Sequence, residues 1–134
     1  MSFEVSEEIR SNFHLFWDNY PGPVMLVQKD RTIIEANKTA LEVGCPVGTR
    51  CVDLFEKKHH VGCKANMALQ KGTGVREVSY AENLGQVVDG YWIPLVGSRE
   101  LFVHFCNDIT EYAAEHLIPK ACASGAGCVL CSKD

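Results

Sequence analysis

Apolar residues recur at helical spacing near the start of the chain. Five of them share one face of the segment: Val5, Ile9, Phe13, Phe16 and Trp17. Their intervals match the period of an α-helix, about 3.6 residues. Ser6 with the two glutamates after it is a typical helix start, and Pro21-Gly22-Pro23 stops the segment because proline cannot continue a helix. The pattern predicts an amphipathic helix within residues 5–20.

Five segments carry the short apolar or alternating patterns that are typical of β-strands. They are residues 24–28, 32–36, 75–81, 86–96 and 101–106. The polar run Lys29-Asp30-Arg31 joins the first two segments as a hairpin, and Gly97-Ser98-Arg99 joins the last two. Pro94 cannot donate to a strand ladder, so its position predicts a bulge or a local sheet edge.

Short helical segments fill the middle and the end of the chain. They are predicted at residues 37–43, 51–55, 63–71 and 112–117. Asn37 opens the first of them, and Gly44 and Gly72 stop the first and the third. The small residues of 121–131 show no periodicity. That tail is expected to be flexible unless a metal or a disulfide holds it.

One domain of ordinary size accounts for the length. The chain has 134 residues, of which 46% are hydrophobic and 22% charged, close to the averages of soluble globular proteins. A net charge of −4 argues against duplex DNA or an anionic membrane as the main partner, because phosphate binding needs a clustered positive field. The acidic start is unlike a secretory signal, and no apolar run approaches the roughly 18 residues that span a bilayer. We expect a cytoplasmic protein.

Seven cysteines are the unusual feature of the composition. In a reducing compartment such a number points to metal, redox or cofactor chemistry more than to structural disulfides. An odd number also leaves at least one cysteine outside any complete set of intramolecular pairs.

Two strings near the ends of the chain carry a family resemblance. The first is a strand followed by a helix that starts at Asn37: Ile33-Ile34-Glu35-Ala36-Asn37. The second is the last strand followed by residues typical of a helix start: Phe105-Cys106-Asn107-Asp108-Ile109-Thr110-Glu111. With the order of elements between them, they resemble a PAS sensory domain. The resemblance implies an α+β fold, in which a five-stranded antiparallel sheet has short helices over one face and an N-terminal amphipathic helix. It divides the chain into a helix at 1–20, a PAS domain at 21–113, and a helix end with a cysteine-rich tail at 114–134.

A narrower likeness surrounds two cysteines in the middle of the chain. Two patterns here resemble the cysteine-bearing PAS domains of bacterial sensor proteins. They are Gly48-Thr49-Arg50-Cys51-x3-Phe55 and Gly62-Cys63-x-Ala65-x2-Ala68-Leu69-x2-Gly72. Such domains often have a further cysteine just before the second one, where this chain has His59-His60-Val61-Gly62. A histidine that substitutes as a ligand is one interpretation of this departure.

Metal binding is one hypothesis for the same segment. Cys51, His59, His60 and Cys63 fall within 13 residues, and thiolates with imidazole are the donor set that zinc or an iron centre prefers. A second hypothesis is a redox-active pair of Cys51 with Cys63. The third is simple packing, because free cysteine often behaves as a small buried apolar residue.

The tail offers a second group of thiols. Cys122, Cys128 and Cys131 form a C-x5-C-x2-C pattern. Its close end suits a redox disulfide between Cys128 and Cys131, or half of a metal site. A complete four-thiolate shell would need Cys106, Cys45 or a second subunit. The alternative is a tail whose thiols have no role.

The resemblance also implies a ligand pocket between the sheet and its helical cover. Six residues are expected to face that cover: Phe55, Asn66, Met67, Tyr91, Trp92 and Phe105. The alternative is that these side chains only fill the core. An iron-sulfur cluster or zinc is the first cofactor hypothesis. Haem and flavin rank lower, because helix 63–71 has no histidine and no Asn-Cys-Arg motif occurs.

Catalytic motifs are absent from the sequence, which has no G-x-S-x-G, no phosphate-binding glycine loop and no H-E-x-x-H. The resemblance therefore favours a non-enzymatic module that senses a small ligand or a redox state and signals to a partner protein in trans. A metalloprotein and a plain interaction module with an empty core are the alternatives. Because Phe13, Phe16 and Trp17 would expose much apolar surface, the helix should pack on the sheet or on a second copy, and we expect a homodimer.

Overall fold

Helices and strands follow one another in the order that the sequence predicts. The computed structural model describes residues 4–53, 63–82 and 84–118. The helices in these ranges are α1 at Glu7–Trp17, α2 at Lys38–Glu42 and α3 at Ala65–Lys71. The strands are β1 at Val24–Gln28, β2 at Ile33–Ala36, β3 at Val75–Ala81, β4 at Gln86–Pro94 and β5 at Leu101–Asp108. Single 3-10 turns lie at Cys51–Asp53, Thr110–Tyr112 and Glu115–Leu117.

The five strands form one sheet in the order β2-β1-β5-β4-β3. Every neighbouring pair in it is antiparallel. The predicted α+β fold with a five-stranded antiparallel sheet is therefore confirmed. Its first and last strands are adjacent, and β5 lies at the centre of the sheet between β1 and β4. Across the described ranges, no helix has both the length and the apolar character needed to cross a bilayer.

α1 begins where the sequence signals predict. The Ser6 side chain accepts a hydrogen bond from the Ile9 backbone N–H at 3.2 Å, which satisfies one of the open amides of the first turn. Glu7 and Glu8 lie in that turn, where negative charge interacts favourably with the helix dipole. The helix packs on the sheet, which is one of the two outcomes that its apolar face predicts.

Successive residues of a strand point to opposite faces of the sheet, except in β2, where a register shift against β1 leaves Ile34 on the outer face and Ile33 and Ala36 on the inner one. The outer face, defined as the one that α1 covers, holds a buried cluster of Val5, Phe13, Val24, Leu26, Ile34, Leu101 and Phe105. The inner face, which α2 and α3 cover, holds two further clusters. One contains Val27, Ala65, Leu69 and Phe102, and the other contains Ile33, Ala36, Ala40 and Cys45. The two faces have separate cores that share the same strands.

Asn37 is fully buried at the junction between β2 and α2. Its Oδ1 accepts hydrogen bonds from the backbone N–H groups of Ala40, which caps α2, and of Val24, both at 2.9 Å. Its Nδ2 donates to the carbonyls of Trp17 and Gly22, also at 2.9 Å. One side chain thus links α1, β1 and α2, and the strand-to-helix handover predicted at Asn37 is confirmed.

The end of β4 differs from the prediction. The strand stops at Pro94 instead of Val96. Pro94 pairs with Phe102 on β5 without a register shift, whereas the pairing of β3 with β4 begins only at Trp92. Pro94 therefore lies beyond the reach of β3, where its missing N–H costs no ladder bond. The predicted local edge is confirmed, and the predicted bulge is wrong.

Candidate functional site

Aromatic and polar side chains meet on the inner face of β4 and β5. The His104 ring stacks on Trp92 with centroids 4.8 Å apart and planes inclined by 19°. The His104 Nδ1 lies 2.8 Å from the backbone oxygen of Tyr91. Because a carbonyl oxygen only accepts, this nitrogen carries a proton. A stacked ring and a hydrogen bond therefore fix the orientation of the imidazole.

Cys106 lies beside this imidazole, with its Sγ 3.9 Å from His104 Nε2. Gly90 pairs with Cys106 across the two strands. A Cβ atom on Gly90 would come within 3.3 Å of the Cys106 Sγ and of the Trp92 ring, so only glycine fits this arrangement without displacement. Burial raises the pKa of Cys106 to about 11. Its thiol is protonated at neutral pH and is a weak nucleophile.

The two cysteines that the sequence singles out lie on the same face. Cys51 and Cys63 both pack against the cluster formed with α3. Burial, followed by the proximity of Cys63, raises the pKa of Cys51 to about 11. Both residues carry free thiols, as do Cys45 and Cys106. The structure therefore brings Cys51 and Cys63 together, with Cys51 in its protonated form at neutral pH.

The predicted metal ligands fall only partly within the described ranges. His59 and His60 lie outside them, as do Cys128 and Cys131 of the tail. Among the residues that the structure describes, no group of three or more histidine, cysteine or acidic side chains is arranged to hold a metal ion. Zinc and iron-sulfur binding through Cys51 and the histidines stays a prediction.

The predicted pocket residues do not share one face of the sheet. Trp92 lies on the inner face as expected, and Phe55 lies outside the described residues. Asn66 and Met67 lie on the exposed side of α3, where the Asn66 side chain accepts a hydrogen bond from Arg31 at 3.2 Å. They point away from the sheet, because the other side of α3 supplies its buried residues.

Tyr91 and Phe105 point to the outer face and pack in the α1 cluster. Their rings stack with centroids 4.9 Å apart, and the Trp17 ring of α1 lies 5.3 Å from Phe105. The expectation that both residues face the helical cover is therefore wrong. Adjacent strand residues alternate between faces, so Tyr91 and Trp92 cannot both point inwards.

A cavity of about 200 Å³ lies between α1 and the outer face. Its lining is mostly apolar and includes Phe13, Phe16, Trp17, Leu26, Leu95 and Val103. The sequence did not predict this cavity, because its size depends on how closely the helix approaches the strands. It lies on the opposite side of the sheet from Cys51, Cys63 and Cys106.

Charged contacts between α1 and β2 were not predicted either. Arg10 and His14 of α1 both reach the Glu35 carboxylate, at 2.6 and 2.7 Å. Each of the two follows a residue of the apolar stripe, Ile9 or Phe13, which places it on the flank of the buried helix face. That position is the signal from which the contacts could have been found.

No protein-family model and no curated protein sequence matches the chain. Solved structures do match it. A domain of an HTR-like protein from Haloarcula marismortui has a TM-score of 0.55 at 21% identity, covering 67% of this chain and 99% of that one. A sensory box sensor histidine kinase from Vibrio cholerae has a TM-score of 0.56 at 17% identity, covering 77% and 91%. The PAS domain of BvgS from Bordetella pertussis has a TM-score of 0.56 at 16% identity, covering 78% and 89%.

Identities this low establish a shared fold and carry no function with them. The three matches cover between 67% and 78% of this chain. The expectation drawn from the two end strings is therefore confirmed at the level of the fold. The chain folds as a PAS domain.

Proposed function

We propose that this chain is a sensory module that receives a signal on the inner face of its sheet and passes it on through α1. The supporting observation is that the central strands serve both faces. In β1, Val24 and Leu26 belong to the outer cluster, whereas Met25 and Val27 pack in the inner one. Because protein interiors are close-packed, a shift of these strands on one face changes the packing on the other.

The output of such a module goes to another protein. The sequence contains no catalytic motif, so we assign the chain no enzymatic activity of its own. One of the similar structures belongs to a sensor histidine kinase, which supports a role in signalling. We propose a homodimer that acts on a partner protein in the cytoplasm. The net charge of −4 disfavours nucleic acid and membrane as partners.

A small ligand is the input that the inner face favours. Trp92 offers an aromatic surface, and the fixed imidazole of His104 offers a polar contact beside it. The thiols of Cys51 and Cys106 are protonated at neutral pH, which suits contact with a ligand better than rapid nucleophilic attack. We therefore place the ligand against Trp92, His104 and Cys106.

Native mass spectrometry of the full chain, purified without oxygen, tests this proposal. We expect a small molecule to accompany the wild-type protein. Gly90→Ala should retain much less of it, because the new methyl group presses on Trp92 and Cys106. Gly74→Ala is the matched control, since its Cβ meets its neighbours at an ordinary 3.7 Å or more. Equal retention by both variants would place the ligand elsewhere, and a wild-type protein without ligand would favour an interaction module with an empty core.

A thiol switch is the second candidate, favoured because Cys51 and Cys63 pack in one cluster. Diamide would accept two hydrogens from the two thiols as their sulfur atoms join. In a Trp17→Phe background, Trp92 is the sole tryptophan and reports on this face by its fluorescence. We expect diamide to change that fluorescence in a Cys45→Ser control, but not in the Cys51→Ser/Cys63→Ser variant. If diamide changes the Trp92 fluorescence of the double variant as much as that of the control, Cys51 and Cys63 are not the switch.

A metalloprotein is the third candidate, and metal analysis of the same preparation decides it. Stoichiometric zinc or iron would support a metal site, and its loss in the Cys51→Ser/Cys63→Ser variant would make these two cysteines its ligands, together with His59 or His60. The absorption spectrum separates the cofactors, because iron-sulfur proteins are brown, haem proteins red and flavoproteins yellow. A colourless, metal-free protein would leave the ligand and the thiol switch as the remaining inputs.

A further inference from the structure

Four charged side chains form a cluster between α1 and β2. Arg10 Nη1 lies 2.6 Å from Glu35 Oε2 and also donates to the Ile34 carbonyl at 3.2 Å. His14 Nε2 lies 2.7 Å from Glu35 Oε1, and His14 Nδ1 lies 2.7 Å from Asp18 Oδ1. The Glu35 side chain is only 17% exposed and is the most buried of the four. We call Arg10, His14, Asp18 and Glu35 the α1–β2 charge cluster.

The geometry of this cluster determines the protonation state of His14. Both ring nitrogens face carboxylate oxygens, which only accept hydrogen bonds. A neutral imidazole has a single N–H, so one of its nitrogens would turn a lone pair towards a negatively charged oxygen. Only the imidazolium form donates to both. The hydrogen bonds to Asp18 and then to Glu35 accordingly raise the pKa of His14 above its ordinary 6.5.

The two hydrogen bonds of His14 have different consequences. The bond to Asp18 stays within α1 and its C-cap, whereas the bond to Glu35 crosses from the helix to the sheet. When His14 loses its proton, its single remaining N–H can serve only one of the two carboxylates, and Arg10 is the only cation left in the cluster to pair with Glu35. The apolar contacts of Phe13 and Trp17 with the outer face do not depend on the proton. Deprotonation should therefore loosen α1 without unfolding the domain.

We propose that His14 is a proton-binding switch that sets how firmly α1 docks on the sheet. In the described part of the chain, the charged groups that face it are Arg10 and Asp18 from α1 and Glu35 from β2, and the Phe13 ring contacts it edge-on. Because folding raises the pKa of His14, its stabilisation is fully present below pH 6.5 and is lost as the pH rises through the higher folded-state value. α1 is then firmly docked in mild acid and looser in mild base.

Hydrogen exchange of the α1 amides, corrected for the intrinsic pH dependence of exchange, measures this docking directly. In a Trp92→Phe background, Trp17 is the sole tryptophan and reports the same event by fluorescence. We expect protection of α1 to fall several-fold, and the Trp17 emission to shift to the red, as the pH rises above 6.5. In His14→Gln, α1 should be loosely docked on the sheet at every pH. In His14→Lys, which keeps a positive charge, α1 should be firmly docked at every pH. His116→Gln, at an exposed histidine outside the cluster, should behave like the wild type.

An NMR titration of the His14 ring gives an independent readout. A pKa at or below 6.5, or a transition that persists in His14→Gln, would overturn the proposal. It rests on the proposed function only in treating α1 as the output element. The measurement needs neither ligand nor partner, so a pH-dependent α1 in a protein without ligand would leave the switch standing and remove the proposed input. A protein that carries a ligand but whose α1 docking does not depend on pH would support the proposed input and overturn the His14 switch.

Discussion

At the scale of single residues, two buried polar side chains, Asn37 and Asp89, each make several hydrogen bonds that join different parts of the fold. Asn37 uses all four of its hydrogen-bonding sites on backbone groups of three different elements. Asp89 accepts from Arg76 at 2.6 and 3.2 Å and from the Tyr91 hydroxyl at 3.0 Å. Polar groups buried in this way are costly to leave unpaired, so each of these residues makes a testable claim about stability.

Asn37→Leu should lower the free energy of unfolding by at least about 3 kcal/mol. The substitution removes the side-chain acceptor of two buried N–H groups, those of Val24 and Ala40, and each buried group left unpaired costs roughly 1–3 kcal/mol. The Gly22 carbonyl also loses the Asn37 donor, whereas the Trp17 carbonyl keeps the hydrogen bond from the Tyr20 N–H. Urea unfolding followed by circular dichroism measures the loss. Asn66→Leu is the control, because Asn66 is exposed on α3 and its loss should cost less than about 0.5 kcal/mol. Similar stabilities for the two variants would contradict the role given to Asn37.

Asp89 should contribute to the acid sensitivity of the fold. The hydrogen bonds from Arg76, ahead of the one from Tyr91, lower the pKa of Asp89 below its ordinary 3.8. Its contribution is therefore present above pH 3.8 and is lost as the pH falls through the lower folded-state value. Urea midpoints measured from about pH 5 to about pH 2 should fall less steeply for Asp89→Asn than for the wild type. Asp53→Asn, at an exposed position, should keep the wild-type slope.

At the scale of elements, α1 shows how one helix can divide its apolar residues between a core and an open surface. Phe13 is 5% exposed in the outer cluster, whereas Phe16 is 75% exposed. The two residues carry the same side chain on the same helix. They therefore form a matched pair in which only the environment differs.

Phe13→Ala should destabilise the domain by about 3–5 kcal/mol, the usual cost of removing a buried aromatic side chain. Phe16→Ala should change stability by less than about 0.5 kcal/mol, because its ring is already in water. If the proposed homodimer uses this helix, Phe16→Ala should also weaken self-association. Urea unfolding and sedimentation equilibrium measure the two effects. Equal destabilisation by both substitutions would mean that α1 is not seated as the structure has it.

The elements themselves were largely predictable because their signals are local. Val24–Gln28 and Val75–Ala81 have the predicted bounds, and Ser6 and Asn37 cap the predicted helices. The direction of side chains was predicted less well. Tyr91 was assigned to the same face as Trp92 although adjacent strand residues alternate, and helix α3 turns Met67 outwards. Residue type gives hydrophobicity, but the face depends on position within the element.

At the scale of the whole molecule, the candidate site depends on contacts that no local pattern contains. Gly90 and Cys106 are neighbours only because β4 pairs with β5 in a particular register. His14 meets Glu35 only because α1 folds back over β2. The cysteines and the PAS fold were predictable, because composition and the order of elements can be read directly from the sequence. His104 and Cys106 are two residues apart on β5, so their shared face was predictable from the strand period. The approach of Gly90 and Trp92 to them was not, since it requires the pairing of β4 with β5.

The positions of the buried clusters along the chain also predict how the stability should respond to removal of the tail. Every residue of the three buried clusters lies between Val5 and Phe105. Truncation after Pro119 removes the segment that the sequence predicts to be flexible and takes no member of these clusters with it. We therefore expect calorimetry to give a Tm within about 2 °C of the full chain.

A fall in Tm of more than about 5 °C on truncation would show that the tail is held. Two additions to the full chain would then identify what holds it. A chelator that lowers the Tm of the full chain, without affecting the truncated one, would indicate a metal bound through Cys122, Cys128 or Cys131. A reductant that does the same would indicate a disulfide. If neither changes the Tm of the full chain, packing contacts hold the tail, and neither a metal nor a disulfide is needed to explain the fall.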